Sequence, residues 1–78
     1  MAIAGAVVVP GSPGIEDELI SRMKEFAEVE VREVGPKGIA IVLEAEEPGR
    51  LRDISNEIEG WEDVMEVSLA YLNWEEEA

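Results

Sequence analysis

The clearest hydrophobic pattern in the chain is the alternation at residues 39–46, IAIVLEAE. Its odd-numbered positions are mostly bulky and aliphatic, whereas its even-numbered positions change from small and apolar to acidic. In an extended strand these two sets lie on opposite sides. A strand with apolar residues on both sides is typical of the centre of a sheet. The pattern therefore predicts a central strand at 39–46.

Three other stretches have the composition of strands. Residues 2–9, AIAGAVVV, are small or β-branched on both sides, which predicts a second central strand. Residues 28–34, EVEVREV, alternate between valine and charged residues, which favours a strand with one side in water. The last strand is predicted at 64–72, with unbroken alternation along its length.

Two helices are predicted between these strands. After the first strand, Ser12 is a candidate N-cap and Pro13 a candidate first helical residue, and apolar residues at helical spacing extend to about Ala27. The second helix is predicted to begin near Pro48 and to stop at Gly60. Arginines in its first turn are expected to lie on a solvated face.

The order strand, helix, strand, strand, helix, strand is the split βαβ, or ferredoxin-like, pattern of an α+β protein. The segment GPKG at 35–38 predicts a hairpin between the second and third strands. Right-handed crossovers place both helices on one face of a four-stranded antiparallel sheet, with the first and third strands in its centre. We expect one domain over residues 1–74 and an acidic tail at 75–78, with fraying from Asn73 onwards.

Strand alternation divides this sheet into a face covered by the helices and an open face. The positions expected under the helices are Ala4, Ala6, Val8, Val29, Val31, Ile39, Ile41, Leu43, Met65, Val67 and Leu69. The open face is expected to combine a small apolar centre with a rim of acids, and Arg32 is the one base predicted there. The candidate binding residues on this face are Gly5, Val7, Ala40, Val42, Ser68, Ala70, Glu30, Glu44, Glu46 and Glu66.

An exposed apolar stripe of this kind usually marks a binding surface. A peptide partner and a second copy of the chain would both bury the stripe, so alternation alone favours neither. A homodimer formed sheet to sheet therefore stays open as an alternative at this point.

Composition restricts the chemistry of the site. The chain has 19 acidic and 6 basic residues, a net charge of −13, which argues against binding nucleic acid because phosphate contacts dominate that affinity. Most of the acids are expected to be solvated surface. The chain contains no cysteine and no histidine, which removes disulfides and the commonest metal ligands and general base. We expect no metal, no cofactor and no catalysis.

The apolar runs are too short to span a bilayer, and no basic flank precedes the first of them. We therefore expect a soluble, intracellular protein that does not insert into a membrane.

Other proteins with this fold use features that the chain lacks. Acylphosphatase-like enzymes hold phosphate with an arginine in the first loop, where this chain has PGSPG. Sheets of this type that bind RNA stack bases on aromatic residues, whereas the open face predicted here is small and aliphatic. The alternative function that we keep is a small dimerisation or effector-binding domain that uses the same face. An effector-binding domain of this fold would need a ligand loop rich in Gly and Asp, and no loop of this chain has that composition.

Several segments resemble the NapD family. They are IAIVLEAEE followed by a leucine-bearing helix, EDVMEVSLAY followed by an acidic tail, the short aliphatic first strand and the EVEV second strand. The resemblance covers nearly the whole chain, and VSLAY is its most specific part. The chain lacks the longer N-terminal lead of some members, and its PGSPG turn is its own.

This resemblance implies a function as well as a fold. NapD proteins are small cytoplasmic chaperones that bind the twin-arginine signal peptide of the catalytic subunit of the periplasmic nitrate reductase before export. Such a peptide has an arginine pair followed by a moderately apolar segment. The apolar centre and acidic rim of the open face would suit these two parts, since Arg–carboxylate pairs are directional and charge-assisted.

Overall fold

The computed structural model describes the backbone of residues 1–74 and the side chains of residues 1–70. The elements are β1 (Ala2–Pro10), α1 (Glu16–Met23), β2 (Val29–Gly35), β3 (Gly38–Ala45), α2 (Pro48–Glu59) and β4 (Val64–Trp74). This order confirms the predicted ferredoxin-like pattern. The acidic tail expected at 75–78 lies outside the described residues.

The sheet has the order β2-β3-β1-β4 with antiparallel pairing throughout. This confirms the prediction that β1 and β3 are central. The prediction that the chain frays from Asn73 is wrong for that residue and for Trp74, because their backbones pair with Ile3 and Ala2 of β1. Because β1 is a central strand and starts at Ala2, its first residues need a partner on the β4 side. The backbone of β4 supplies this partner as far as Trp74.

Both helices pack on the same face of the sheet. They contribute Leu19 and Met23 from α1, and the aliphatic stripe of α2, to one cluster with the inward-facing residues of β1 and β3. The residues of this core that are almost inaccessible to solvent are Ala2, Ala4, Ala6, Val8, Leu19, Met23, Ile39, Ile41, Leu43, Leu51, Ile54, Ile58 and Val64. Among the described residues no polar or charged side chain is buried, so apolar burial supplies the stability.

The first helix is shorter than predicted. It begins at Glu16, with Ile15 at the N-cap position and no side-chain cap, and it ends at Met23. Gly14 has φ +89°, a conformation outside the helical range, so Ser12 cannot cap a continuous helix. Residues 24–28 form turns rather than a further helical turn to Ala27.

The second helix begins and ends as predicted. Pro48 occupies its first turn, where the missing N–H has no helical partner, and Gly60 is its C-cap. Gly60 has φ −78°, and its amide donates to the carbonyl oxygens of Asn56 and Glu57, while the amide of Trp61 donates to that of Ile58. The stop is therefore an ordinary right-handed turn.

The edge strand β2 contains an irregularity that changes which residues face outward. Val31 pairs with Ile41, but the next pair is Glu33 with Ala40, so Arg32 is the extra residue of a bulge. Alternation is therefore not strict in this strand. Glu33, rather than Arg32, takes the position beside the centre of the open face.

The other edge strand, β4, has two register shifts. The first lies where Val64 pairs with Pro10 and Glu66 with Val9, which makes Met65 the extra residue. Proline has no N–H to donate to a neighbouring strand, and this is a frequent place for a bulge. The prediction that Met65 lies in the core is wrong: it is 68% exposed, and Val64 is buried instead.

The second shift in β4 makes Ala70 the extra residue, because Leu69 pairs with Ala6 and Tyr71 with Gly5. Leu69 has the register of a core position but is 56% exposed, so the prediction that the helices cover it is wrong.

Candidate functional site

The face of the sheet opposite the helices has a shallow apolar floor. Val7, Ala40 and Val42 are each half-buried and lie on adjacent positions of the two central strands. Gly5 pairs with Val42 and is itself buried, so it forms part of the floor rather than a protruding contact. Small residues at these positions keep the floor low enough for another element to approach closely.

The rows of paired residues across this floor end in polar side chains. Val7 pairs with Ala40 on one side and with Ser68 of β4 on the other, and Ala40 pairs in turn with Glu33 of β2. Ser68 and Ala70 are both exposed. The floor is therefore about two strands wide and is bordered by the two edge strands.

One end of the open face is strongly acidic. Four glutamates, Glu28, Glu30, Glu44 and Glu46, line a depression of about 320 Å³ together with Met1, Ala27, Val29, Val42 and Ala45. They come from the start of β2 and from the end of β3 and the residue after it, which the antiparallel pairing of the two strands brings together. We call this depression the acidic end. Three of the four predicted rim acids meet there.

Two of these glutamates are paired with cations of the protein itself. The Arg50 side chain donates a hydrogen bond from Nε to Glu28 Oε2 at 2.8 Å. That hydrogen bond lowers the pKa of Glu28 below its usual value. Arg50 lies on an exposed face, as expected, and in addition holds this glutamate. Arg32 Nε lies 3.4 Å from Glu30 Oε2, in an exposed ion pair.

The other two glutamates of the acidic end are free to meet a partner. Within residues 1–70, Glu44 and Glu46 form no ion pair, and both are exposed. They lie two residues apart at the end of the central strand β3. Their carboxylates are available to an incoming cation at little cost in broken contacts.

The fourth predicted rim acid, Glu66, lies at the opposite end of the sheet. Glu44 pairs with Ile3 of β1, whereas Glu66 pairs with Val9. At roughly 3.3 Å per residue, these six residues of β1 separate the two by about 20 Å. One pair of neighbouring arginines cannot contact both glutamates.

The end that holds Glu66 is largely apolar. A depression of about 460 Å³ there is lined by residues of the first loop, the β2–β3 hairpin and the start of β4, and by Glu16 of α1. Its apolar lining residues are Val9, Pro10, Pro13, Val34, Pro36 and Met65. Val34 is 50% and Met65 68% exposed. We call this region the hairpin end.

The candidate residues chosen from the sequence do not include Glu28, Glu33 and Met65, which are accessible residues of this face or its ends. A signal for two of them exists in the spacing of the valines. Val31 and Val34 are three residues apart, as are Val64 and Val67, whereas unbroken alternation would space them by two. Such a spacing in a strand is typical of a bulge. Glu28 lies two residues before Glu30 in the alternation at 28–34, which places the two on the same side, and its carbonyl oxygen accepts a hydrogen bond from the Glu44 amide of β3. Its pairing with Arg50 of α2 has no local signal.

The described residues show no sign of a metal centre or a membrane span. No group of three or more Asp or Glu side chains within residues 1–70 is arranged to hold a metal ion. No helix within residues 1–74 is long and apolar enough to cross a membrane.

Comparison with known proteins gives a consistent result. The model of the NapD protein family matches residues 1–76. The solution structure of the E. coli Tat proofreading chaperone protein NapD superimposes with a TM-score of 0.78 and 27% identity, covering 97% of this chain and 81% of that one. The crystal structure of the hypothetical protein PHS023 from Pyrococcus horikoshii has a TM-score of 0.80 and 19% identity, covering 97% and 93%. That second likeness concerns the fold alone. Curated protein sequences include no significant match.

Proposed function

Because this chain belongs to the NapD family, we propose that it is a cytoplasmic chaperone that binds a twin-arginine signal peptide on the open face of its sheet. The proposed client is a molybdenum reductase, the catalytic subunit of a periplasmic nitrate reductase, bound before export. The E. coli relative, at 27% identity over nearly the whole chain, is a Tat proofreading chaperone, which supports this function. In this function the protein binds and releases its partner and catalyses no reaction.

The observation that carries the proposal is the pair of free glutamates, Glu44 and Glu46, beside an accessible apolar floor. A twin-arginine peptide offers a cationic pair and then an apolar segment. Guanidinium groups bind carboxylates through two parallel hydrogen bonds, which adds direction to the attraction. The apolar segment, folded as a helix, would bury its side chains on Val7, Ala40 and Val42.

Energetic considerations favour a combination of the two contacts. Ordering a flexible peptide costs about 2–5 kcal/mol, and exposed ion pairs contribute at most about 1 kcal/mol each. The charge contacts therefore cannot hold the peptide alone. Apolar burial on the floor supplies the remaining affinity, and the glutamates select the arginine pair.

A calorimetric titration tests the site. The Val7→Lys variant places a charge in the middle of the floor, and we expect it to bind the peptide at least about tenfold more weakly, because an unpaired ammonium would be buried under the apolar segment. The matched control is Ser21→Lys, which makes the same charge change on the exposed side of α1. Equal affinities in the two variants would contradict the assignment of the open face.

A second titration tests the client class. We expect the leader of a nitrate reductase catalytic subunit to bind more tightly than the same peptide with both arginines changed to glutamine. The affinities of leader peptides from other exported proteins, measured in the same way, test whether the nitrate reductase leader is the preferred one. If the Arg-Arg and Gln-Gln peptides bind equally at low salt, the glutamates do not recognise the arginines and the proposal fails.

The alternative, a homodimer that covers the same face, predicts a different behaviour. Each copy carries a net charge of −13, and repulsion between two such chains opposes association at low salt. Sedimentation of the free protein distinguishes the two. A stable dimer that peptide does not dissociate would favour the dimerisation function.

A further inference from the structure

The open face differs from one end to the other along the strands. At the acidic end, four glutamates line one depression. At the hairpin end, Pro36, Lys37 and Gly38 line both the apolar depression and a smaller one of about 270 Å³ over Val7 and Ala40. The apolar floor connects the two ends. A partner bound along the strands would therefore meet a different environment at each of its own ends.

Three acids near the hairpin end do not cancel this difference. Glu16 lines the larger depression together with Lys37, but it begins α1, which packs on the other face of the sheet. Glu33 lies on β2 and Glu66 on β4, which are the two opposite edges of the sheet. Three strand spacings of about 4.8 Å place them roughly 14 Å apart. They cannot act together on a pair of neighbouring arginines. Lys37, which forms no ion pair within residues 1–70, adds a like charge that repels arginines from this end.

The length of the floor matches an apolar segment of moderate size. The distance from the Glu44 row to the Glu66 row is about 20 Å, which an α-helix covers in about 13 residues at 1.5 Å per residue. A peptide with its arginines at the acidic end would thus carry its apolar segment over Val42, Ala40 and Val7. The far end of that segment would reach the β2–β3 turn, where Pro36, Lys37 and Gly38 adjoin Val7 and Ala40.

From this polarity we infer that the signal peptide binds in one direction, parallel to β1. Its arginine pair lies against Glu44 and Glu46, and the C-terminal end of its apolar segment lies at the hairpin end. This inference rests on the proposed function, since it assumes a peptide in which the cationic pair precedes the apolar segment. It adds the direction of the bound peptide and the two regions that meet its ends.

Disulfide trapping tests the direction, because the chain has no cysteine of its own. Ala27→Cys places a thiol at the acidic end, at an exposed alanine. Gly35→Cys places one at the hairpin end, where a Cβ meets no atom within 4 Å. Neither variant changes the charge of the protein. Each is mixed with a peptide that carries one cysteine, either just before the arginine pair or just after the apolar segment.

We expect Ala27→Cys to form a disulfide with the N-terminal peptide cysteine, and Gly35→Cys with the C-terminal one, about tenfold faster than the crossed pairs. The reason is the higher effective concentration of thiols held close together. Faster crossed pairs would show the opposite direction, and equal rates in all four combinations would show no fixed direction. Either result overturns the inference while peptide binding stands.

Calorimetry on the same variants separates this failure from failure of the proposed function. If neither variant nor the parent protein binds the peptide, the proposed function fails and the direction with it. If the variants bind as the parent does, the disulfide rates report the direction alone.

Discussion

The glutamates of the acidic end differ in how free they are to meet a cation. Arg50 holds Glu28 through a hydrogen bond of 2.8 Å, and Arg32 lies 3.4 Å from Glu30 in a pair in which both side chains are more than 60% exposed. Glu44 and Glu46 form no ion pair within residues 1–70. Arg32 therefore already forms with Glu30 the kind of ion pair that an arginine of the peptide could form there.

Removal of Arg32 should strengthen binding. In Arg32→Gln, Glu30 loses its internal partner and the peptide loses a competing positive charge, so we expect affinity to rise about two- to fivefold, as exposed ion pairs permit. Isothermal titration with the Arg-Arg peptide measures the change. Lys24→Gln, on the helical side of the protein, is the control with the same charge change. If the two variants bind equally, Glu30 is not part of the site.

Truncation of two adjacent residues of β3 should lower the stability by different amounts. Leu43 is fully buried under the helices, whereas its neighbour Val42 is half-buried on the open face. We expect Leu43→Ala to lower the free energy of unfolding by about 2–5 kcal/mol, because it leaves a cavity in the core. Urea denaturation measures it, with Val42→Ala as the comparison. Equal losses in the two variants would mean that the faces of β3 are assigned wrongly.

Among the elements, the β2–β3 hairpin places the acids of β2 beside β3. Its turn, closed by the pair Gly35 and Gly38, brings Glu30 beside Val42 and Glu33 beside Ala40. Gly38 has φ +141°, and a Cβ there would lie 2.6 Å from the carbonyl oxygen of Val8. The hairpin thus requires glycine at this position, both for its backbone conformation and for the close approach of β1.

Substitution of this glycine should destabilise the protein. We expect Gly38→Ala to lower the free energy of unfolding by more than about 1 kcal/mol, because alanine disfavours positive φ and its methyl group would displace β1. Gly35→Ala is the matched control in the same turn, since a Cβ at Gly35 has open space. Urea midpoints compare the two, and an equally tolerated Gly38→Ala would contradict the described geometry.

At the scale of the whole molecule, a net charge of −13 surrounds the proposed site for a cationic peptide. The electrostatic field of this negative charge attracts a basic peptide from a distance, and dissolved salt screens that field. Apolar contact with the floor is not screened. Charge should therefore contribute part of the affinity and most of its dependence on ionic strength.

We expect rising salt to weaken binding of the Arg-Arg peptide without abolishing it. The Gln-Gln peptide should bind more weakly and show a flatter dependence on salt, because the screened contribution has been removed. Titrations at several salt concentrations give both slopes. Parallel slopes for the two peptides would mean that the acidic surface acts only as solvated charge.

Sequence patterns were sufficient for the central part of this molecule. The alternation of β1 and β3 correctly predicted the buried side of each strand, and the order of elements correctly predicted the topology. These properties follow from local rules, because the period of apolar residues along a strand or helix determines which side can be buried. The floor residues Val7, Ala40 and Val42 were assigned to the open face for the same reason.

The tertiary structure alone decided which acids meet. Bulges at Arg32, Met65 and Ala70 depend on how each edge strand pairs with its neighbour, and each shifts the alternation by one residue. The sequence placed Glu66 on the same face as Glu44, but the antiparallel register places them at opposite ends of the sheet. Alternation specifies a face, whereas position along that face depends on contacts between residues far apart in the chain.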